Sequence, residues 1–165
     1  MRRSSQPGAS TSSCVSIRFP IVLSLAAILA GLSACTSATA PADELAAARR
    51  QWTENGPQSY SYTLARSCEC LPEQTGPVVI TVQDGAVVSR VYASTGTPVA
   101  TAYQSLFPSI EGVFDLVDEA IRQGAEQLDV DYHRTLGYPV NIAINLHLRP
   151  VDGGLVVTTS DFHSL

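Results

Sequence analysis

The sequence predicts an α+β fold, an antiparallel sheet of about six strands with two helices on one face. Three observations predict it. Two stretches carry apolar residues at helical spacing, around Leu45-Ala48-Trp52 and Ile110-Val113-Phe114-Val117. The intervening stretches alternate apolar and polar residues, as half-buried strands do. The order is helix and three strands, then helix and three strands, which suits helices gathered on one face of an antiparallel sheet.

The chain begins with a targeting segment. Residues 1–19 carry Arg2, Arg3 and Arg18 and no acid, and Pro20–Leu32 is an apolar run. The run is short of the ~20 residues a membrane span needs. Leu32-Ser33-Ala34-Cys35 follows. A basic start, an apolar run and a small-residue cleavage site make a secretory signal. The Leu-x-Ala-Cys ending matches a bacterial lipoprotein signal, which implies lipidation of Cys35 as the new N-terminus. A start near Val15 would give a more compact signal and discard Cys14. The expected organisation is a signal over 1–34, the lipidated Cys and a short tether over 35–42, and one α+β domain over 43–165. Expected localisation is the outer membrane where the organism has one, and otherwise the outer face of the cell membrane.

Three of the ten basic residues leave with the signal while all fifteen acidic residues stay, so the remainder carries a formal charge of −8. That balance argues against nucleic acid and against an electrostatic grip on anionic lipid. The expected partners are the membrane, through the lipid anchor, and an envelope protein or cell-wall component.

Within the domain, Asp43–Asn55 reads as the first helix, with Asp43 as its cap and Asn55-Gly56-Pro57 as its stop. Ser59–Arg66 alternates with Tyr60, Tyr62 and Leu64 on one side. Pro77–Val82 and Ala86–Tyr92 form a hairpin around Asp84-Gly85, the strongest short hairpin signal. A regular hairpin places Val82 opposite Val87, Ile80 opposite Ser89 and Val78 opposite Val91. Ala93–Pro108 reads as a polar connection. Ser109 then caps a second helix, roughly Ile110–Glu126, with Glu111, Asp115, Asp118 and Glu119 facing out. Leu128, Val130 and Tyr132 mark a fourth strand. Val140 to Leu148 mark a fifth, and an odd loop such as His133–Pro139 keeps both apolar sets on one face. Asp152-Gly153-Gly154 turns into a last strand, Leu155–Phe162.

Cys68 and Cys70 are the cysteines left in the folded part. An exported compartment permits a disulfide. On a straight strand both sulfurs would face the core side, with Cα atoms about 6.6–6.8 Å apart, at the upper edge of disulfide geometry. Pro72 and Gly76 allow a bend that closes the gap. A structural disulfide, a redox pair, a copper(I) clamp and two free thiols are all chemically open, and the disulfide is expected. Glu69 and Glu73 disfavour a thiolate. Zinc needs four ligands, and His133, His147 and His163 are scattered. His133 and His147 read as solvated, and Asp129 and Asp131 share a strand face with His133. No nucleophile elbow, phosphate loop or metalloprotease helix is written in the sequence. No catalytic residue, metal site or cofactor is expected.

Taken in order, Trp52, Tyr60-Ser-Tyr62, Arg66-Ser-Cys68-x-Cys70, Gly76-Pro77-Val78, Asp84-Gly85, Phe114-Asp115 and Gly137-Tyr138-Pro139 form a recognisable series. The chain resembles the bacterial secreted proteins and lipoproteins termed domain of unknown function 6174, over about Ala46–Phe162. It departs from their pattern at Glu69, where an aromatic is usual, and at His133, where an acid is usual. The resemblance implies fold and export and brings no activity. The expected function is a membrane-anchored lipoprotein serving as a non-catalytic envelope binding or structural module. The alternative is a thiol-redox or copper-handling protein that uses Cys68 and Cys70.

Overall fold

The computed structural model describes residues 40–146 and 154–165. The signal, Cys35, His147 and the Asp152-Gly153 turn lie outside the described residues. The elements are α1 (Pro41–Asn55), β1 (Tyr60–Ser67), β2 (Val78–Gln83), β3 (Ala86–Tyr92), α2 (Ile110–Arg122), β4 (Gln127–Tyr132), β5 (Pro139–Asn145) and β6 (Leu155–Ser164). All six strands join one sheet in the order β3-β2-β1-β6-β5-β4, and every pairing is antiparallel. Each half is a meander led by a helix, and the halves join where β1 pairs with β6.

Helix α1 starts two residues earlier than the sequence suggested. Ala40 is its N-cap and Pro41 its first helical residue, a position where a missing N–H costs nothing. Asp43 is therefore not the cap, and it lies with Glu44 in the first turn. The expected tether accordingly ends before Pro41. Leu45, Ala48 and Trp52 are buried, as their spacing predicts. Gly56 ends the helix in extended rather than left-handed backbone. Its lack of a side chain matters sterically, since a Cβ there would lie 2.7 Å from the Trp52 ring.

Helix α2 buries Ile110, Val113, Phe114, Val117 and Ala120. Burying each large member contributes about 1.5–3 kcal/mol relative to exposure. The helix stops at Arg122, short of the expected Glu126, because Gly124 adopts φ +66 and Ala125 N–H bonds back to Ala120. Leu128, which also continues the spacing of the helical stripe, lies in β4. Against α2 and α1 lie Tyr60, Tyr62 and Leu64 of β1, Val78, Ile80 and Val82 of β2, Ile142 of β5 and Val157 of β6, all at most 2% exposed.

Bulges correct the expected registers. In the β2–β3 hairpin, Val82 does oppose Val87, but Thr81 pairs with Ser89, Ile80 with Arg90 and Val78 with Tyr92. The extra residue is Val88, which is 55% exposed. The slip turns Arg90 and Tyr92, rather than Ser89 and Val91, toward Phe107. Arg90 Nε donates to the Phe107 carbonyl at 2.6 Å, and the Tyr92 ring meets the Phe107 ring edge-on. The connection between β3 and α2 is less polar in structure than in sequence. It contains a 3-10 turn over Thr101–Leu106 and buries Val99 and Phe107. In the β4–β5 hairpin Tyr132 pairs with Pro139, so the loop is the six residues 133–138 rather than the expected His133–Pro139, and a bulge before Tyr132 places Val130 opposite Ile142 and Leu128 opposite Ile144.

The helix-free face is built from the opposite parity. One row runs Val91, Val79, Thr63, Ser160, and another Ala65, Thr158, Asn141, Asp131. The connection after β3 covers that edge through the Val91–Pro98 bridge and the Val99 N–H to Arg90 O bond. The β4 edge instead displays exposed Asp129 and Asp131, charges that discourage strand-to-strand aggregation.

Candidate functional site

The strand exit after β1 carries the two cysteines. β1 ends at Ser67, and Cys70 N–H bonds to the Cys68 carbonyl at 2.8 Å, a three-residue turn. The turn brings the Cα atoms to 5.2 Å and the sulfurs to disulfide distance. A bend at the strand end closes the pair, and it lies within Cys68–Cys70 itself, ahead of Pro72 and Gly76. On a continued strand both sulfurs would face the core, but the strand has ended at Ser67, and Cys68 is half-buried and Cys70 exposed. Glu69 is exposed between them. The excursion is tied down at its base by the Arg66 N–H to Thr75 O bond and by the Tyr92 hydroxyl on the Glu73 carbonyl at 2.7 Å.

A second cluster forms where α1 and α2 meet β1. Trp52 Nε1 donates to Glu111 Oε1 at 2.9 Å, and the Tyr60 hydroxyl donates to Glu111 Oε2 at 3.0 Å. The Tyr60 oxygen also accepts the N–H of Ile110, the first residue of α2, at 3.1 Å. Ser109 occupies the N-cap position without a side-chain capping bond, so a strand tyrosine does part of the capping. Glu111, expected to face out, is exposed as a residue yet has each carboxylate oxygen on a buried ring system. Desolvation pushes its pKa up. Hydrogen bonds from Trp52, its own backbone amide, Ser109 and Tyr60 outweigh that and hold it below the ordinary glutamate value. Burial pushes the Tyr60 and Tyr62 hydroxyls well above the ordinary tyrosine range. These tyrosines are hydrogen-bond donors at neutral pH.

The rings continue as a stack. Tyr60 stacks on Phe162 at 5.4 Å, Phe162 on Tyr138 at 4.9 Å and Tyr138 on His133 at 4.8 Å between centroids. Tyr138 packs at the sheet end, as expected. His133 is not a solvated strand residue. It lies beyond the β4 bulge, stacks on Tyr138 and accepts the Leu136 N–H on Nδ1 at 3.1 Å. The bulge thereby separates it from Asp129 and Asp131, which bond to Gln127 and Asn141. His163 is exposed near the end of β6. Among the described residues, no three His, Cys, Asp or Glu side chains gather in a way that could hold a metal. No described helix is long and apolar enough to cross a membrane.

Arg66 is the residue that sequence reasoning underrated. The sequence placed it only at the end of the first strand. Its Nη1 instead donates to the Leu106 carbonyl at 3.3 Å, and its Nε is buried with no partner among the described residues. Burial pulls its pKa down from the ordinary arginine value. The sequence signal was available: Arg66 follows Tyr60, Tyr62 and Leu64 at the core-facing parity of β1.

A family model described as a family of unknown function, DUF6174, matches residues 44–164. The chain belongs to the DUF6174 family. No curated protein and no solved structure matches it. The DUF6174 match runs from α1 into β6, so it includes the cysteine turn, the Glu111 cluster and Arg66 together.

Proposed function

We propose that this DUF6174 chain is a lipid-anchored protein of the bacterial envelope that works as a non-catalytic binding module, presenting the helix-free face of its sheet to an envelope protein or cell-wall component. The observation that carries the reading is that face. It is six strands wide and, interspersed with Val79, Val91 and Ala65, carries the hydroxyl and amide side chains of Thr63, Thr81, Thr158, Ser160 and Asn141. Such groups offer hydrogen bonds at low cost in side-chain entropy. The anchor reading rests on Leu32-Ser33-Ala34-Cys35. A single acyl chain holds a protein marginally, whereas the two or three chains that lipoprotein signals receive hold it stably.

Photo-crosslinking groups placed at Thr63 and Thr158 in living cells should trap the same partner, and one at exposed Arg50 on α1 should not. Equal trapping from all three positions would sink the sheet-face reading. Cys35→Ser should release the protein from the membrane fraction or leave it unprocessed. Unchanged processing and membrane association would sink the anchor reading.

The exposure of Cys70 favours a second reading, a thiol-redox or copper-handling protein using Cys68 and Cys70. Attack by an external thiol is sterically open there. A reduction potential above about −200 mV, in the range of catalytic dithiols, or stoichiometric copper on the purified protein would favour this reading over the first.

A further inference from the structure

A cleft of about 450 Å³ opens between the first turns of α2, the 3-10 turn before it, and strands β1 and β6. Its volume is in the range of small-molecule sites, about 300–1,000 Å³. Leu64, Leu106, Val113, Leu116 and Val157 give it apolar walls, and Arg66 is the one cation among its lining residues. The carboxylate of Asp115 at its rim is already held by Arg49, through bonds of 3.0 and 3.1 Å to the same oxygen. The Arg66 charge is therefore not neutralised from within the cleft.

The way Arg66 is held makes it more than a brace for the Leu106 carbonyl. That task uses Nη1 alone. Nε is buried without an acceptor among the described residues, and buried donors in folded proteins are almost always paired. Nε and Nη2 form one edge of the guanidinium, the edge that binds a carboxylate through two parallel hydrogen bonds. Neighbouring Arg90 shows the alternative arrangement, with its Nε on the Phe107 carbonyl. Arg66 leaves its Nε without a partner among the described residues, and because that atom is buried a head group entering the cleft meets it only when the side chain shifts.

We propose that this cleft binds a small amphiphile with a carboxylate head and an apolar chain, the head paired with Arg66 and the chain lying against Leu106, Leu116 and Val157. The site is separate from the helix-free sheet face, so it stands or falls independently of the function proposed above. An apolar chain fits the walls, and a single negative charge completes the guanidinium.

Octanoate and octanol are suitable probes, because they share a chain and differ in the head. They are titrated into the purified exported protein in bilayer-free buffer, with the methyl NMR signals of Leu106, Leu116 and Val157 as the readout. Octanoate should shift these signals saturably and bind at least tenfold more tightly than octanol. Arg66→Gln should abolish that preference. Equal affinity for the two probes, no saturable shift at millimolar octanoate, or a preference that survives in a folded Arg66→Gln protein would overturn the proposal. Should Arg66→Gln fail to fold, Leu116→Trp fills the cleft from α2 and leaves the guanidinium in place. It should block octanoate, and unchanged octanoate binding would equally overturn the site.

Discussion

Trp52 and Glu111, 59 positions apart, are joined by an indole N–H to carboxylate hydrogen bond of 2.9 Å. The bond clamps the end of α1 to the first turn of α2. Because Tyr60 holds the other carboxylate oxygen, the clamp also fixes both helices to the centre of the sheet. A carboxylate at a helix start gains from the helix dipole as well.

Glu111 should therefore make stability pH-dependent on the acid side. Its pKa in the folded protein is lowered, so its contribution is complete above the ordinary value of 4.5 and is lost as pH falls through the folded value. Urea melts from pH 7 to pH 3 should show wild type losing more stability than Glu111→Gln. At pH 7, Glu111→Ala should cost about 1–3 kcal/mol, since two buried donors lose their acceptor. Identical pH profiles for wild type and Glu111→Gln would show that the clamp does not depend on charge.

Trp52 is 5% exposed and meets Tyr60, Tyr138 and Phe162 edge-on with centroids 5.3–5.9 Å away. Trp52→Ala should cost about 3–5 kcal/mol. That is a large share of a typical stability of about 5–15 kcal/mol. A loss below about 1 kcal/mol in urea melts would mean that α1 is only loosely docked.

Gly137 combines φ +81 with a close approach to α1, where a Cβ would lie 2.5 Å from the Ala48 carbonyl. Gly137→Ala should destabilise by about 1–3 kcal/mol, from backbone strain and displacement of the helix. Gly96 has φ +69 with open space around it. Gly96→Asn should stay within about 0.5 kcal/mol, because Asn tolerates the left-handed region. Equal losses at the two sites would remove the packing part of this argument.

The Cys68–Cys70 pair should be oxidised in the exported protein, and non-reduced peptide mass should show a two-hydrogen deficit. So short a loop removes little entropy from the unfolded chain. Cys68→Ser with Cys70→Ser should cost about 1–2 kcal/mol, below the usual 2–4 for a disulfide. Two free thiols on the purified protein would refute the pairing.

Much of the fold was legible because periodicity is local. Tyr60-Tyr62-Leu64 and Val78-Ile80-Val82 alternate, Ile110-Val113-Phe114-Val117 follows the helical period, and Asp84-Gly85 marks its hairpin. Any window of such residues reports which side faces the core, whatever else the chain does. A bend at the strand exit was legible from Pro72 and Gly76 close by, but the turn that joins Cys68 to Cys70 lies ahead of both. The hairpin bulge was not, because Val88 is displaced by what Arg90 and Tyr92 find on Phe107, a residue well beyond the hairpin.

The sequence by itself determined the helix and strand order, the core-facing parity of most strands and the turn chemistry, since each follows from backbone and side-chain preferences within a few residues. Only the tertiary structure decided that β1 lies beside β6, about a hundred residues away, and so joins the two meanders into one sheet. It alone turned Glu111 from an outward-facing helix acid into the acceptor for Trp52 and Tyr60, and took His133 out of the row of Asp129 and Asp131. It also left the Nε of Arg66 buried without a partner among the described residues. In each case the deciding atom belongs to a residue far along the chain or sits across a bulge, and local periodicity carries no information about which distant groups will meet.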